Sequence, residues 1–198
     1  MKIYDISQEV FGCVVFPGDP VPEREVISDM NDGALYNLTA FRMCAHNGTH
    51  VDSPRHFYKD GKTLSDMDLT HFVGPCYVAA HEGDISLADM ERILSRARAE
   101  SSECARRILI KGKATLTLEA AGTVAGSEVI LFGNESQTVG PENAPMAVHL
   151  KLLGREIALL EGIRLGEVPE GKYLLCAAPI HLGNGDGAPC RALLIDME

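Results

Sequence analysis

The chain has 198 residues, 45% of them hydrophobic and 23% charged, which suits one globular domain with a full core. Its formal net charge of −10 comes without any run of Lys or Arg, which argues against a nucleic-acid phosphate footprint or an anionic membrane surface and leaves a small molecule or another protein as partner. Cys13, Cys44, Cys76, Cys104, Cys176 and Cys190 form no C-x-x-C pair, no apolar N-terminal stretch resembles a signal peptide, and no apolar run approaches the roughly 20 residues that span a bilayer, so a cytoplasmic protein with reduced thiols is expected.

Ile3, Tyr4 and Ile6 predict a first strand, punctuated by the turn Phe16-Pro17-Gly18-Asp19-Pro20. A second strand is expected near Glu23 to Ile27. From Ala34 to Asp52 the chain carries β-branched and aromatic residues with no helical period, which predicts extended structure running into a histidine cluster. Val73 to Ala80 is a further strand. Ser86 and Asp89 have the spacing of a capping box, and Leu87, Met90, Leu94 and Ala97 recur at helical spacing, so a helix is predicted from Leu87 to about Glu100. Arg107 to Lys111 returns to strand, Thr117 caps a short helix to about Ala125, Val129 to Phe132 is a buried strand, and Pro145 to Leu153 is a helix ended by Gly154. Lys172 to Ala178 and Ala192 to Ile195 complete the strands. A β-rich first third, a middle of alternating strands and helices, and a β-rich end predict a single mixed-sheet α/β domain over residues 1–198.

The chemistry concentrates in Ala45-His46-Asn47-Gly48-Thr49-His50-Val51-Asp52-Ser53-Pro54-Arg55-His56. Gly48, the β-branched Thr49 and Val51, and Pro54 disfavour a helix, and no Glu follows His46 to make H-E-x-x-H. With the strand period of two, His46, His50, Asp52 and His56 all point to one face, and Gly48 clears space between them. Two imidazoles and a carboxylate on one side suit a borderline cation such as zinc, and three ligands leave room for water. A second ion would need donors from elsewhere. His149, on the helix from Pro145 to Leu153, and Glu161, after the apolar run Ile157 to Leu160, are the candidates.

The segment from His46 to His56 resembles the H-x-G-T-H-x-D-x-P-x-H signature of the cyclase family, which includes bacterial kynurenine formamidases and isatin hydrolases. The resemblance continues through Phe16-Pro17-Gly18-Asp19, His149, Leu160-Glu161-Gly162 and Pro169-Glu170-Gly171-Lys172-Tyr173 to Gly185-Asp186-Gly187-Ala188-Pro189-Cys190-Arg191, nearly the whole chain. It implies a swivelling β/β/α-type domain and a two-metal site. One ion would be held by His46, His50 and Asp52, and Asp52 and Glu161 would bridge to a second that is also held by His149. His56 falls at the position of the acid/base, and the turn at Phe16 and Asp19 near the substrate. The implied reaction is hydrolysis of an amide C–N bond by hydroxide that a metal ion makes available near neutral pH, with His56, whose unperturbed pKa is about 6.5, passing the proton to the departing nitrogen. Two zinc ions per chain are expected, with manganese the second choice, in a homodimer or homotetramer acting on a small-molecule amide.

An aryl formamide ranks first as substrate and a cyclic amide, imide or lactone second. Three departures from the formamidases bear on that order: Phe16 stands where they carry Trp, Gly133-Asn134-Glu135-Ser136-Gln137-Thr138-Val139 where they carry G-x-D-x-x-S-V, and the chain passes directly from Gly112 to Leu116 without a longer aromatic-bearing loop. With no Trp in the chain, aromatic stacking falls to Phe16, Phe57, Phe72 or a Tyr. Two remoter readings stay open, a non-haem iron oxygenase with a two-histidine, one-carboxylate site and a non-catalytic metal-binding protein. Cys44 is read as a small hydrophobe beside the site, ahead of a place on the ligand face, Arg191 as a surface ion-pair partner or as the partner of a carboxylate in the site or across a subunit interface, and Asn184-Gly185-Asp186-Gly187 as a turn.

Overall fold

A computed structural model describes residues 1–196. The chain opens with strand β1 (Lys2–Asp5) and then forms a separate hairpin of β2 (Glu23–Ser28) and β3 (Leu38–Arg42). After β4 (His50–Asp52) and a run of short 3₁₀ turns come β5 (Val73–Ala80), β6 (Gly83–Ile85), helix α1 (Leu87–Glu100), β7 (Arg107–Lys111) and β8 (Ala114–Leu116). Helix α2 (Leu118–Ala125), β9 (Leu131–Asn134), α3 (Met146–Leu153) and β10 (Ala158–Glu161) lead into β11 (Gly171–Cys176), β12 (Gly187–Pro189) and β13 (Leu193–Asp196).

Nine strands make one curled mixed sheet in the order β1-β13-β11-β5-β7-β9-β10-β4-β12. β5, β7, β9 and β10 run parallel, and every other neighbouring pair is antiparallel. The parallel strands are continuous apolar runs because both of their faces are covered. Alternation along them divides the core: Ile108, Ile110, Phe132 and Leu159 pack with the three helices on one face. Leu109, Leu131, Ala158 and Leu160 pack on the other with Val51, Ile163, Leu175 and Leu194.

Helix α1 begins where the sequence predicts, with Ser86 Oγ accepting from Asp89 N and an Asp89 carboxylate oxygen accepting from Ser86 N. It buries Met90, Ile93, Leu94 and Ala97, and burial of each larger side chain stabilises by about 1.5–3 kcal/mol. No helix among the described residues is long and apolar enough to cross a membrane.

Two expectations need correction. The stretch from Ala34 to Asp52 is not continuously extended: only Leu38–Arg42 and His50–Asp52 are strands, and Asn47 N donates to Cys44 O in a turn between them. The strand expected from Val129 begins at Leu131 and runs to Asn134. Four strands of three or four residues, β6, β8, β10 and β12, are too short to show a period of their own in the sequence.

Candidate metal centre

Strand β4 is bonded on both sides, and its register collects the site. Against β10, Glu161 lies opposite His50, and against β12, Gly187 lies opposite Asp52. Residues two apart on one strand share a face, and directly opposed residues share it too, so His50, Asp52 and Glu161 converge by ladder geometry alone. His149 reaches the same point from α3, where its Nδ1–H donates to Pro145 O at 3.0 Å. His50 Nδ1–H likewise donates to Gly48 O at 3.0 Å. In both imidazoles this bond orients the ring and turns Nε2 toward the carboxylates.

His46 and His56 arrive differently from the strand phase expected of them. His46 sits in the turn before Gly48, whose φ of +64° lies in the left-handed region and reverses the chain. His56 ends a 3₁₀ turn opened by Pro54, and its ring stacks on that of His46 with centroids 4.1 Å apart. All six residues singled out in the sequence are therefore brought together, four of them in regular elements and two by turns.

The donors stand close. His46 Nδ1 lies 2.8 Å from Asp52 Oδ1, and His50 Nε2 lies 3.3 Å from Asp52 Oδ1 and 3.5 Å from Glu161 Oε2. His149 Nε2 is 3.2 Å from Glu161 Oε1 and 3.7 Å from Asp52 Oδ2. Two ligand atoms on a tetrahedral ion bound at roughly 2.0–2.1 Å are about 3.3 Å apart, so the four spacings of 3.2–3.7 Å fit a divalent cation, while the 2.8 Å contact of His46 with Asp52 is a hydrogen bond. Three groups of donor atoms lie close enough to hold an ion: His46/His50/Asp52 and Asp52/His149/Glu161, which share Asp52, and the more exposed His46/His56/Asp186. The decisive observation is Asp52 Oδ2, a buried carboxylate oxygen with no hydrogen-bond partner. Leaving such an atom bare is costly, and a cation would satisfy it.

Without an ion, protons on the histidines balance the charge of the two buried carboxylates. Burial works against charge on His50, yet its contacts to Asp52 and Glu161 hold its pKa well above the usual histidine value. Burial likewise opposes charge on His46, but Asp52 and then Asp186 raise its pKa to about 9. His149 is raised in the same way by Glu161, against its burial. Burial would push Asp52 up, and His46 and His50 instead hold it well below the carboxylate range. His56 moves in the opposite direction: burial lowers its pKa, with His46 and His149 adding to the effect against the pull of Asp52 and Asp186.

Around this cluster the remaining expectations sort themselves out. Of the aromatic candidates, Phe72 is fully in the core, whereas Phe57 packs edge-on to His56 at 4.6 Å and lies 4.9 Å from His149. The first turn touches the motif through Cys44 Sγ, 3.9 Å from Asp19 Oδ2, and Cys44 belongs to none of the donor groups. Glu135 lies outside the centre and clasps the fold, accepting from Gly112 N at 2.6 Å and Leu165 N at 2.8 Å. Arg191 makes the surface ion pair expected of it, with Asp5. Asp186, which the sequence places in a turn and in the last segment of the family resemblance without a role, is the functional candidate that was missed: its Oδ2 is 2.9 Å from His46 Nε2. An acid set between two glycines in Gly185-Asp186-Gly187 was the available signal.

The model of the Cyclase family, described as "Putative cyclase", matches residues 4–134. A kynurenine formamidase of Erythrobacter litoralis is 33% identical over 99% of this chain and 94% of its own length. Another, from Bacillus anthracis, is 30% identical over 98% of this chain and 97% of its own. Among solved structures, one described as a potential metal-dependent hydrolase with cyclase activity superposes with a TM-score of 0.83 at 26% identity, covering 100% of this chain and 98% of that one. An isatin hydrolase bound to the product analogue thioisatinate superposes with a TM-score of 0.82 over 98% of this chain and 91% of its own, a likeness of fold at 18% identity. A family model that covers most of the chain, together with relatives of this identity over its full length, places the chain in the Cyclase family.

Proposed function

We propose that this protein is a metal-dependent hydrolase of amide C–N bonds that acts as an arylformamidase, converting N-formylkynurenine to kynurenine and formate. The observation that carries the reading is the pair of donor triads sharing Asp52, with its bare Oδ2 between them. His46, His50 and Asp52 would hold one divalent ion and Asp52, His149 and Glu161 a second, with zinc the first choice and manganese the next. Bound there, such an ion lowers the pKa of water and polarises a carbonyl oxygen.

The chain's own part is orientation and proton transfer. The bonds from His50 and His149 to backbone carbonyls keep their rings from rotating. His56, its pKa lowered by burial and 30% of its side chain exposed, stands at the open side of the cluster. It takes a proton from the attacking water as the new C–O bond forms, and returns it to the nitrogen as the C–N bond breaks, so that the amine departs neutral. Phe57, beside His56, is placed to meet an aromatic ring on the substrate.

Two further parts of the reading rest on residues outside the centre. The hairpin β2–β3 exposes Val26, Ile27, Leu35, Tyr36 and Phe41, which supports a homodimer or homotetramer. The six cysteines are free thiols, which supports action in the cytoplasm. The test of the reaction is a panel of formylkynurenine, simple formanilides, isatin, cyclic imides and lactones, assayed with zinc and with manganese. Formylkynurenine should exceed the cyclic amides by at least about tenfold in kcat/KM. Preference for isatin instead would replace the formamidase assignment with a cyclic-amide hydrolase.

A further inference from the structure

His46 is the one donor of the cluster whose second ring nitrogen is not held by the backbone. His50 and His149 both anchor Nδ1 on a carbonyl and present Nε2. His46 is turned the other way, with Nδ1 2.8 Å from Asp52 Oδ1 and Nε2 2.9 Å from Asp186 Oδ2. A ring in a turn, off any strand, has no ladder to orient it, so something else must.

Three features of the 185–187 segment converge on that ring. Gly187 leaves the space it occupies: a Cβ there would stand 2.4 Å from His46 Cε1. Ser53, the residue after Asp52, ties the segment down, its N and Oγ each donating to Asp186 O at 2.9 Å. Asp186 then supplies the acceptor for Nε2–H. A histidine ligand that donates its other N–H to a carboxylate is fixed in tautomer and orientation and becomes more basic.

We infer that Asp186 is a positioning residue for the metal centre: it holds His46 as the Nε2–H tautomer with Nδ1 directed at the ion shared with His50 and Asp52. The inference rests on the metal-centre reading above and goes beyond it by assigning a positioning role to an acid outside the two triads that share Asp52. Asp186 touches no other donor of those triads, so its effect falls on one of the two ions. Its contact to His56 Nδ1 is longer, at 3.6 Å, beyond hydrogen-bond length, so its hydrogen bond goes to His46.

The test measures binding of zinc and of cobalt alone, without substrate, by chelator competition on the full chain, for the wild type, Asp186→Ala and Asp186→Asn. In Asp186→Ala one ion should bind about 10–100-fold more weakly, the usual effect of removing such a partner, while the second keeps its affinity within about threefold. Asp186→Asn, which retains an acceptor oxygen, should recover part of the loss, and the cobalt spectrum of the wild-type coordination should persist in both variants. Equal affinities in all three proteins would overturn the inference. So would loss of a ligand from the cobalt spectrum in Asp186→Ala, which would make Asp186 a ligand itself, or equal weakening of both ions with a large drop in Tm, which would make it structural. A wild type that binds no metal would sink the metallohydrolase reading as well, whereas a metal-binding wild type with no catalytic preference for formamides would leave this inference standing.

Discussion

His50 and Glu161 face each other across the antiparallel ladder of β4 and β10, with Nε2 3.5 Å from Oε2 and both side chains all but fully buried. Strand pairing that opposes an imidazole and a carboxylate in the interior, next to a second carboxylate, is poorly suited to stability alone, because burying the charges costs more than their attraction returns. His50 stands beside both Asp52 and Glu161, the two carboxylates of the cluster. His50→Ala should therefore lose metal and turnover together, and metal content and kcat measured on the same preparation check this. A variant that kept full activity with half its metal would separate the two.

His56 should fail in a different way. It lies outside the two triads that share Asp52, so His56→Ala should keep its metal, with turnover reduced by about 100- to 10,000-fold, the worth of a general acid/base. Metal analysis beside steady-state kinetics reads both at once. Metal lost from this variant, or a rate left unchanged, means the role belongs elsewhere.

The pH response of the metal-free protein follows from His46. Burial disfavours its charge, but Asp52 and Asp186 raise its pKa to about 9, against about 6.5 for an unfolded histidine. A raised pKa means that protonation stabilises the metal-free fold in full below about pH 6.5 and that this contribution is lost as pH rises through about 9. Chelator-treated protein should thus show a falling Tm between about pH 6.5 and 9. Metal-loaded protein, which needs deprotonated imidazoles, should hold its Tm there and bind metal more tightly as pH rises. A metal-free Tm that climbs across the same window contradicts the charge arrangement.

Gly48 is set by backbone, not by chemistry. At φ +64° an L side chain costs roughly 1–2 kcal/mol, and a Cβ would also stand 3.0 Å from Cys13 Cβ. Gly48→Ala should lower Tm by about 2–8 °C for a chain of this size, in the metal-free as well as the metal-loaded protein. An unchanged Tm would show that the turn relaxes without strain.

What could be read from the sequence depended on how local its cause is. Helix α1 is legible because Ser86, Asp89 and the apolar stripe from Met90 to Ala97 lie within one segment. The six site residues were legible because four crowd into eleven positions and the other two, His149 and Glu161, follow from family likeness and from polar groups set in apolar runs. Their geometry was not. The strand period places His46 and His56 on the face of His50, whereas a left-handed glycine and a proline turn bring them there. Strand β10 was missed because the short apolar run from Ile157 to Leu160 suits a helix or a strand equally, and its identity comes from pairing with β9 and β4. Asp186 was missed because its partner, His46, is 140 residues away, and only the sheet brings the two together.

The most direct test of the account is metal analysis of protein purified without added chelator, followed by chelation and reconstitution with activity measured at each stage. The account predicts about two divalent ions per chain, loss of hydrolysis when they are removed, and recovery when zinc or manganese is returned. Metal-free protein with full hydrolytic activity would contradict it.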